Sequence, residues 1–417
     1  ALFRMGVGIG EASASPAAYS VLSDYYSPRL RATVIAIYSS GLYIGAGIGL
    51  FLGGFILDSW NNAFPNAANA PFQLKGWHVA FMIVGIPGIL MAIWVRTLQE
   101  PQRGVSEGLV SEEHPQPFKV LSDELSAMIP LWSLLGLKRD GASLGKNALG
   151  ALVIALIAAG LIALTGSIGQ WVAMGIGVYC VFTSAQSLAV RDPATFAMIF
   201  TSRSMCYTML AFPSIAFVTY GIGFWIAPLL LRLHDTDAGQ VGMYVGLSAA
   251  AGGMVGVTLG GILADWFKQR HPAGRMIVGY LAVFGSVPLA LAMVYADSLE
   301  VACILNFFFC IFASGWPGIP PCTAADLVLP RMRAVAGAYY ILSSTFIGLA
   351  LGPYTIGQLS DAFAQPGMAS GGALQAAIAC SLLIFVLTLI MLTFAWRALP
   401  EDESSRLERA RALGENV

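Results

Sequence analysis

Charged side chains are scarce in this 417-residue chain, since only 11% of the residues are Asp, Glu, Lys or Arg. Soluble domains carry about 25% charged residues, so there are too few charges here to cover a soluble surface of this size. The formal net charge is −1 and the basic residues are scattered singly, which argues against a nucleic-acid partner. With 57% hydrophobic residues, the composition excludes a disordered chain and predicts a polytopic membrane protein.

The residue patterns of several catalytic and metal-binding classes are also missing. The six cysteines form no CxxC pair and the four histidines share no metal-ligand spacing, so we expect no disulfide framework, metal or cofactor. Residues 141–147 come nearest to a nucleotide-binding loop, but their glycine spacing is wrong and no Ser or Thr follows Lys146. We therefore expect neither an ATP-driven pump nor an enzyme.

Long apolar runs are the dominant feature of the sequence. A membrane-spanning helix needs about 20 mostly apolar residues, and no ten-residue alternation typical of a barrel is present. The sequence predicts an all-α protein with eleven spans. They lie at about 2–24, 33–57, 77–97, 147–166, 169–189, 206–231, 240–264, 277–296, 299–325, 335–359 and 372–396.

The basic residues predict the orientation of these spans. Of the 22 lysines and arginines, Arg4 lies within a span, and only Lys75 and Arg232 fall on one side of the membrane. All the others fall on the opposite side, which the charge rule identifies as cytoplasmic. The tail after Arg397 is then cytoplasmic. Because arginine outnumbers lysine and alanine is abundant, we expect a bacterial inner-membrane protein.

The chain divides at its longest polar stretch, residues 98–146. This stretch is predicted to be a cytoplasmic linker whose 118–137 portion lies along the membrane surface. Two very apolar spans joined by TGSIGQ follow as a tight hairpin. The predicted divisions are 1–97 for a first bundle, 98–146 for the linker, 147–190 for the hairpin, 191–397 for a second bundle and 398–417 for the tail.

Two ionisable residues occur inside the first span, Arg4 and Glu11. They are seven residues apart, so they share one helix face at about 10 Å along its axis. Ionisable residues within a membrane usually face a bundle interior or an aqueous cavity, where a carboxylate takes up a proton more readily. Glu11 is thus a candidate proton carrier, with Arg4 on the same helix face. Alternatively, Arg4 extends to the outer interface and a neutral Glu11 bonds to a neighbouring helix.

Glycine, proline and charge patterns indicate where the helices approach and bend. Glycines at every fourth position over 41–53 predict a close contact between two halves. In 260–275, Gly261 allows a tight helix end, and Asp265 is expected to pair with an arginine such as Arg275, next to a loop containing Arg270; the alternative is an ordinary interfacial turn. Another bend is predicted where Gly352 and Pro353 interrupt a span, as in many transporters. The predicted gating residues are Gly261, Asp265, Arg270, Arg275, Gly352 and Pro353.

Several segments resemble the major facilitator superfamily. LFRMGVGIGEA is similar to the family's fourth-helix motif, and DYYSPRLRATVIAIYSSG to the loop that leads into its fifth helix. Residues 260–275 resemble its D-x-x-x-R loop between helices eight and nine. Within the superfamily, the VGxGEA, PRMRAxA and GxxLGPxxxGxLSD patterns look most like the spinster group.

The resemblance implies a two-bundle secondary transporter. Its expected cargo is a small amphiphilic or lipid-like organic solute, moved across the lipid bilayer by alternating access with proton coupling at Glu11 and Arg4. Only core helices 4–12 are recognisable, with the hairpin as an addition, so we expect helices 1–3 to be missing from this sequence. Tyr220, Trp225 and Asn306 are predicted to line the substrate cavity; ordinary packing or interface anchoring is the alternative for these three.

Two other functions remain open at this point. One is a drug exporter or an organic-anion:cation symporter, since such carriers share several of the same motifs. The other is a membrane protein that has lost transport and serves in signalling. Proton-dependent flux that requires Glu11 would separate a transporter from the latter.

Overall fold

A computed structural model describes most of the chain. The described residues are 8, 14–99, 101–108, 136–138, 141–234, 236, 238–367 and 369–415. Arg4, Glu11 and nearly all of the predicted interfacial segment 118–137 lie outside these residues.

The first half of the described chain contributes three helices. They are α1 (Ala14–Tyr25), α2 (Arg31–Ala63) and α3 (Gly76–Val95). α3 packs against α2 and exposes most of its apolar side chains, including Phe81 and Leu90. Extensive exposed apolar surface of this kind marks a face that meets lipid or other helices.

A helical hairpin follows, as the sequence predicted for 147–189. Its helices are α4 (Leu144–Thr165) and α5 (Ile168–Arg191). The Ser143 hydroxyl accepts a hydrogen bond from a backbone N–H in the first turn of α4. Gly166 ends α4 with a φ of 71°, a left-handed conformation that favours glycine. Local sequence signals therefore account for the tight turn.

A buried asparagine joins the two hairpin helices. The Asn147 side-chain amide donates to Thr183 Oγ1 at 3.2 Å and to Gln186 Oε1 at 3.1 Å. The hairpin also contacts the second half, where the Ser184 and Tyr339 hydroxyls lie 3.1 Å apart. Such bonds replace water for polar groups in an apolar setting, so the hairpin is attached to the second half by specific contacts.

The remaining helices build the second half, with a π-helical turn at Ser344–Ala350. They are α6 (Pro193–Phe200), α7 (Arg203–Leu233), α8 (Ala238–Lys268), α9 (Met276–Val294), α10 (Leu299–Ala313), α11 (Ile319–Leu327), α12 (Arg333–Ser343), α13 (Leu351–Phe363), α14 (Gly372–Ser381), α15 (Ile384–Ser404) and α16 (Arg406–Ala412).

The main apolar core lies in this second half and surrounds α7. Phe212, Ile215 and Ile222 of α7 are fully buried, as are Met293 of α9 and, nearly so, Phe309 of α10. α7 contacts α15, the π-helical turn and α13. It is therefore the central helix of the second bundle.

The helices identify a multi-pass membrane protein. In the described part of the chain, eight helical segments are long and apolar enough to cross a membrane, and no β-strand occurs. The predicted all-α, polytopic membrane fold is confirmed.

The predicted span at 299–325 is broken. The prediction of a continuous helix over 299–325 is wrong, because α10 ends at Ala313 and α11 begins at Ile319. Gly315 and Pro317 occupy the break, and both residue types disfavour a helix interior. The apolar composition of the run concealed these local signals.

The two halves meet where α2 lies along α8 and where α1 lies against α12. Glycines allow α2 and α8 to pack closely, but these glycines lie in α8 rather than in α2. A Cβ at Gly253 would lie 2.2 Å from the Tyr43 ring. By contrast, no described atom lies within 4 Å of a Cβ built at the glycines of α2, so the predicted role of that repeat is not seen among the described residues. The α2 glycines concerned are Gly41, Gly45, Gly49 and Gly53.

Candidate functional site

A cavity of about 460 Å³ lies between the two halves. α1 and α2 line it from the first half, and α7, the break after α10, α12 and the π-helical turn line it from the second. No charged side chain occurs among its described lining residues. The aromatic ones are Tyr19, Tyr38, Tyr43, Tyr220, Trp316 and Tyr340, and the hydroxyl-bearing aliphatic ones are Ser15, Ser39, Ser344 and Thr345.

The cavity wall is amphipathic because its principal residue is tyrosine. Each tyrosine offers an apolar ring and one hydroxyl that donates or accepts a hydrogen bond. Tyr19 and Tyr38 contact edge to face, with ring centroids 5.9 Å apart. Trp316 reaches the cavity because α10 stops at Ala313, and broken helices commonly form solute sites in transporters. The wall suits a solute that combines apolar and hydrogen-bonding parts.

Ion pairs close the end of the molecule where α1 ends and α2 begins, which we call the charged end. Arg31 of the first half lies 2.6 Å from Asp326 of the second. Asp24 of the first half lies 2.8 Å from Arg333 of the second. Each half thus contributes one buried acid and one buried base, and each acid pairs with the base of the other half. Arg275 adds a further contact to Asp326.

Asp265 extends this ion-pair network to the backbone of α2. Its carboxylate accepts hydrogen bonds from the backbone N–H groups of Ala32 at 3.2 Å and Thr33 at 2.7 Å. The Thr33 hydroxyl donates to the same carboxylate at 2.8 Å, and Arg275 lies 3.4 Å away. A carboxylate at a helix N-terminus satisfies free N–H groups and interacts favourably with the helix dipole. Asp265 therefore ties the second half to the start of α2.

The cavity and the network are separate. Tyr38 is seven residues beyond Arg31 in α2, and Tyr340 is seven beyond Arg333. Seven residues of helix rise by about 10 Å. The network therefore lies about two helical turns from the cavity and closes the molecule at the charged end.

Close helix packing accompanies this network. A Cβ on Gly261 of α8 would lie 2.3 Å from Ala36 Cβ and 2.8 Å from the Ala32 carbonyl oxygen. A Cβ on Gly318, just before α11, would lie 2.9 Å from the same carbonyl oxygen. α2 can approach both elements this closely because neither position carries a side chain.

A comparison with known families decides the classification. The family described as Major Facilitator Superfamily matches residues 1–353, which is well over half of the chain. The chain belongs to the major facilitator superfamily. The resemblance inferred from the sequence motifs is confirmed.

Curated relatives agree with this family and with the predicted spinster resemblance. An MFS-type efflux pump of Mycolicibacterium smegmatis is 24% identical over 414 residues, covering 99% of this chain and 73% of that protein. Protein spinster of Drosophila melanogaster is 22% identical over 371 residues, covering 86% of this chain and 46% of that protein. The sphingosine-1-phosphate transporter SPNS2 of Danio rerio is 22% identical over 381 residues, covering 87% and 58%. The chain spans about half the length of these two spinster relatives.

The predicted substrate residues occupy three different environments in this major facilitator fold. Tyr220 lines the central cavity. The Trp225 indole N–H donates to the Pro353 carbonyl at 2.7 Å, beside a smaller pocket of about 270 Å³. Asn306 is buried and donates to Ser248 Oγ at 2.8 Å. Only Tyr220 of the three lies at the central cavity.

The predicted gating residues at the D-x-x-x-R loop also separate. Gly261, Asp265 and Arg275 lie together at the charged end. Arg270 lies over the Trp266 ring at 3.3 Å from its centroid and donates to the Trp266 carbonyl. The expected Asp265–Arg275 pair is present, and its additional role at the start of α2 was not predicted.

Gly352 and Pro353 lie near the π-helical turn. A Cβ on Gly352 would lie 2.4 Å from the Phe217 carbonyl oxygen, so this position permits close packing of α13 on α7. The Pro353 carbonyl accepts the Trp225 hydrogen bond noted above. π-helical turns often occur at functional sites, and here Ser344 in the turn lines the cavity.

Sequence reasoning missed the cross-half acids Asp24 and Asp326. Both acids lie next to loops whose orientation was predicted from lysine and arginine. The charge rule does not consider acids. Matching the acids against those bases would have found candidates for ion pairs, although not their partners.

A second ion-pair group attaches the tail near the charged end. Arg331 lies 2.6 Å from Asp192 and also pairs with Glu415. Partial burial disfavours ionised Asp192, but hydrogen bonds from Arg331 and Thr195 outweigh this and hold the pKa of Asp192 below its ordinary value. The pair therefore stays ionised at neutral pH and weakens only when the pH falls through that lowered pKa.

Proposed function

We propose that this protein is a secondary transporter that moves a small amphiphilic or lipid-like organic solute across the membrane by alternating access. The observation that carries the proposal is the tyrosine-lined cavity between the two halves, which is closed at one end by ion pairs that join those halves. Breaking these pairs would let the halves separate at the charged end. A rocking motion of two bundles around a central site is how many secondary transporters work.

The composition of the cavity supports the solute class. Its aromatic rings suit an apolar chain, and its hydroxyls suit a polar headgroup. The similarity to a protein named as a sphingosine-1-phosphate transporter is in keeping with a single-chain amphiphile. We propose transport rather than enzymatic catalysis.

The distribution of charge supports an orientation. Lysine and arginine favour cytoplasmic loops, so we propose that the charged end faces the cytoplasm of a bacterium and that the C-terminal tail lies on the same side. In this orientation the ion-pair network closes the cytoplasmic entrance of an inner-membrane transporter.

A fluorescent single-chain lysolipid tests the proposal. The full-length protein in proteoliposomes should accelerate transfer of the lysolipid between the vesicle lumen and the medium in proportion to the imposed pH gradient. Protein-free vesicles give the background. Transfer at the background rate with each of several single-chain amphiphiles would contradict the proposal.

The similarity to an efflux pump favours one alternative cargo. A lipophilic drug cation would also find aromatic rings in the cavity, with which cations interact favourably. If the same proteoliposomes extrude a lipophilic dye cation and ignore the lysolipid, the drug-exporter function replaces the lipid one.

Proton coupling is proposed at Glu11, with Arg4 tuning its proton affinity or holding an anionic headgroup. The Glu11→Gln variant should lose more than about 90% of pH-driven transport, because glutamine cannot exchange a proton. A pH-sensitive dye in the vesicle lumen measures the accompanying proton flux. Glu300→Gln, which neutralises an exposed acid at the start of α10, is the matched control. Equal proton flux in the two variants would refute coupling at Glu11.

Tyr220 is proposed to contact the solute. The Tyr220→Ala variant should raise the KM for transport about tenfold, equivalent to about 1.4 kcal/mol of lost binding, because it removes a ring and a hydroxyl from the cavity wall. Tyr295→Ala removes the same groups from an exposed site at the end of α9 and serves as the control. An unchanged KM for Tyr220→Ala would place the solute elsewhere.

A further inference from the structure

The first residues of the linker return to the charged end. After α3, residues 101–108 form a short segment with a turn at Val105–Glu107. Gly104 and Gly108 flank this turn with φ values of 78° and 70°, which favour glycine. The Gly104 N–H donates to Asp24 at 3.0 Å. The segment is therefore held against the end of α1 by a specific contact.

Glu107 occupies the centre of this contact. Its Oε1 lies 2.7 Å from Arg31 Nη2 and also contacts Arg333 Nη2, while its Oε2 lies 3.0 Å from Arg406 Nη1. Only 8% of the Glu107 side chain is exposed. The three arginines come from the first half, the second half and the tail, so one carboxylate joins three parts of the molecule.

The charges explain why an acid is required here. Arg31 and Arg333 are almost completely buried, with 0% and 1% of their side chains exposed. Both contact the same oxygen of Glu107, which places two like charges close together. Buried charges are tolerated only when they are paired. Without Glu107, the repulsion between the two arginines would oppose the approach of the halves that carry them.

We propose that Glu107 is a positioning residue through which the linker holds the charged end closed, and that its release accompanies opening of that end. This inference rests on the proposed alternating-access function. The linker then does more than connect the two halves, since its first turn supplies the shared counter-ion of their contact. The acids on the helices, Asp24 and Asp326, pair one half with the other, whereas Glu107 acts on both halves from outside the bundles.

The native Cys322 provides a reporter for the test. It lies in α11 one turn before Asp326 and is fully buried in the closed arrangement. In a background whose other five cysteines are replaced by alanine, a maleimide should react with Cys322 about tenfold faster in Glu107→Gln than in the parent, because a larger fraction of molecules is open. Glu107→Asp, which keeps the charge on a shorter side chain, should give an intermediate rate.

Glu415→Gln is the matched control. It also removes an acid from an ion pair at this end, but Glu415 contacts Arg331 and joins the tail to the second half alone. Its Cys322 rate should equal that of the parent. A Glu107→Gln rate equal to that of the parent would overturn the proposal, as would an equal increase in Glu415→Gln.

A second measurement applies if Glu107→Gln does not fold. In Gly261→Ala, which alters the contact of α8 with α2 and leaves Glu107 intact, hydrogen exchange at Gly104 and its neighbours should speed up several-fold. Unchanged exchange together with faster Cys322 labelling would overturn the proposal. Neither readout needs a substrate: faster labelling without any flux would contradict transport alone, and flux with unchanged labelling would contradict the Glu107 proposal alone.

Discussion

The Asp326→Asn variant should convert most molecules to a state open at the charged end. Asp326 is the shared partner of Arg31, at 2.6 Å, and of Arg275, and Lys268 lies 3.9 Å away. Asparagine leaves the two buried arginines without this charge. Removing one partner of a buried ion pair costs about 3–5 kcal/mol, and the halves can avoid this cost by separating and hydrating the arginines.

Cys322 labelling measures this shift, and we expect the rate to rise by about two orders of magnitude. Asp297→Asn neutralises an exposed acid between α9 and α10 and should leave the rate unchanged. A thermal unfolding scan of each variant distinguishes opening from unfolding, since the opened protein still unfolds cooperatively. An Asp326→Asn protein that labels as slowly as the parent would show that the network does not close this end.

The Gly261→Ala variant should reduce transport more than tenfold. A methyl group there would lie 2.3 Å from Ala36 Cβ and 2.8 Å from a backbone oxygen of α2, so it cannot be accommodated by moving one flexible side chain. Overpacking at such a site costs about 1–3 kcal/mol. The cost applies only while α2 and α8 are together, so the open state is favoured and the transport cycle slows.

Gly246→Ala is the control for this prediction. It makes the same change on the same helix at a position where no described atom lies within 4 Å of the new methyl group. Its transport rate and Cys322 labelling should match those of the parent. If both glycine variants transport normally, the close contact of α8 with α2 is not part of the cycle.

Much of the fold was predictable because membrane spans depend on composition over about 20 residues. The length of the apolar runs predicted an all-α membrane protein, and the TGSIGQ turn predicted the hairpin that α4 and α5 form. The break between α10 and α11 was missed because it depends on a few residues within an apolar run. Gly315 and Pro317 in the Gly315–Trp316–Pro317 sequence are the residues that indicate this break.

The candidate site was less predictable because it depends on contacts between distant residues. Tyr220 was predicted to line a substrate cavity from its helix, and it lies at the central cavity, although its contact with a solute stays a prediction. Asp265 was correctly paired with nearby Arg275, ten residues along the chain. The Asp24–Arg333 pair joins residues 309 positions apart, and no local pattern indicates which base an acid will meet after folding. For the same reason, Glu107 could not be distinguished from other acids of the linker.

The proposed transport cycle requires that the two halves separate and rejoin at the charged end. Spin labels at Arg29, before α2, and Gln269, after α8, are exposed and lie on opposite halves. Dipolar spectroscopy of this pair in bilayers should show a short and a long distance, with the long one becoming dominant in Asp326→Asn and the balance changing when solute is added. A single short distance, unaltered by the substitution or by solute, would contradict this separation of the halves.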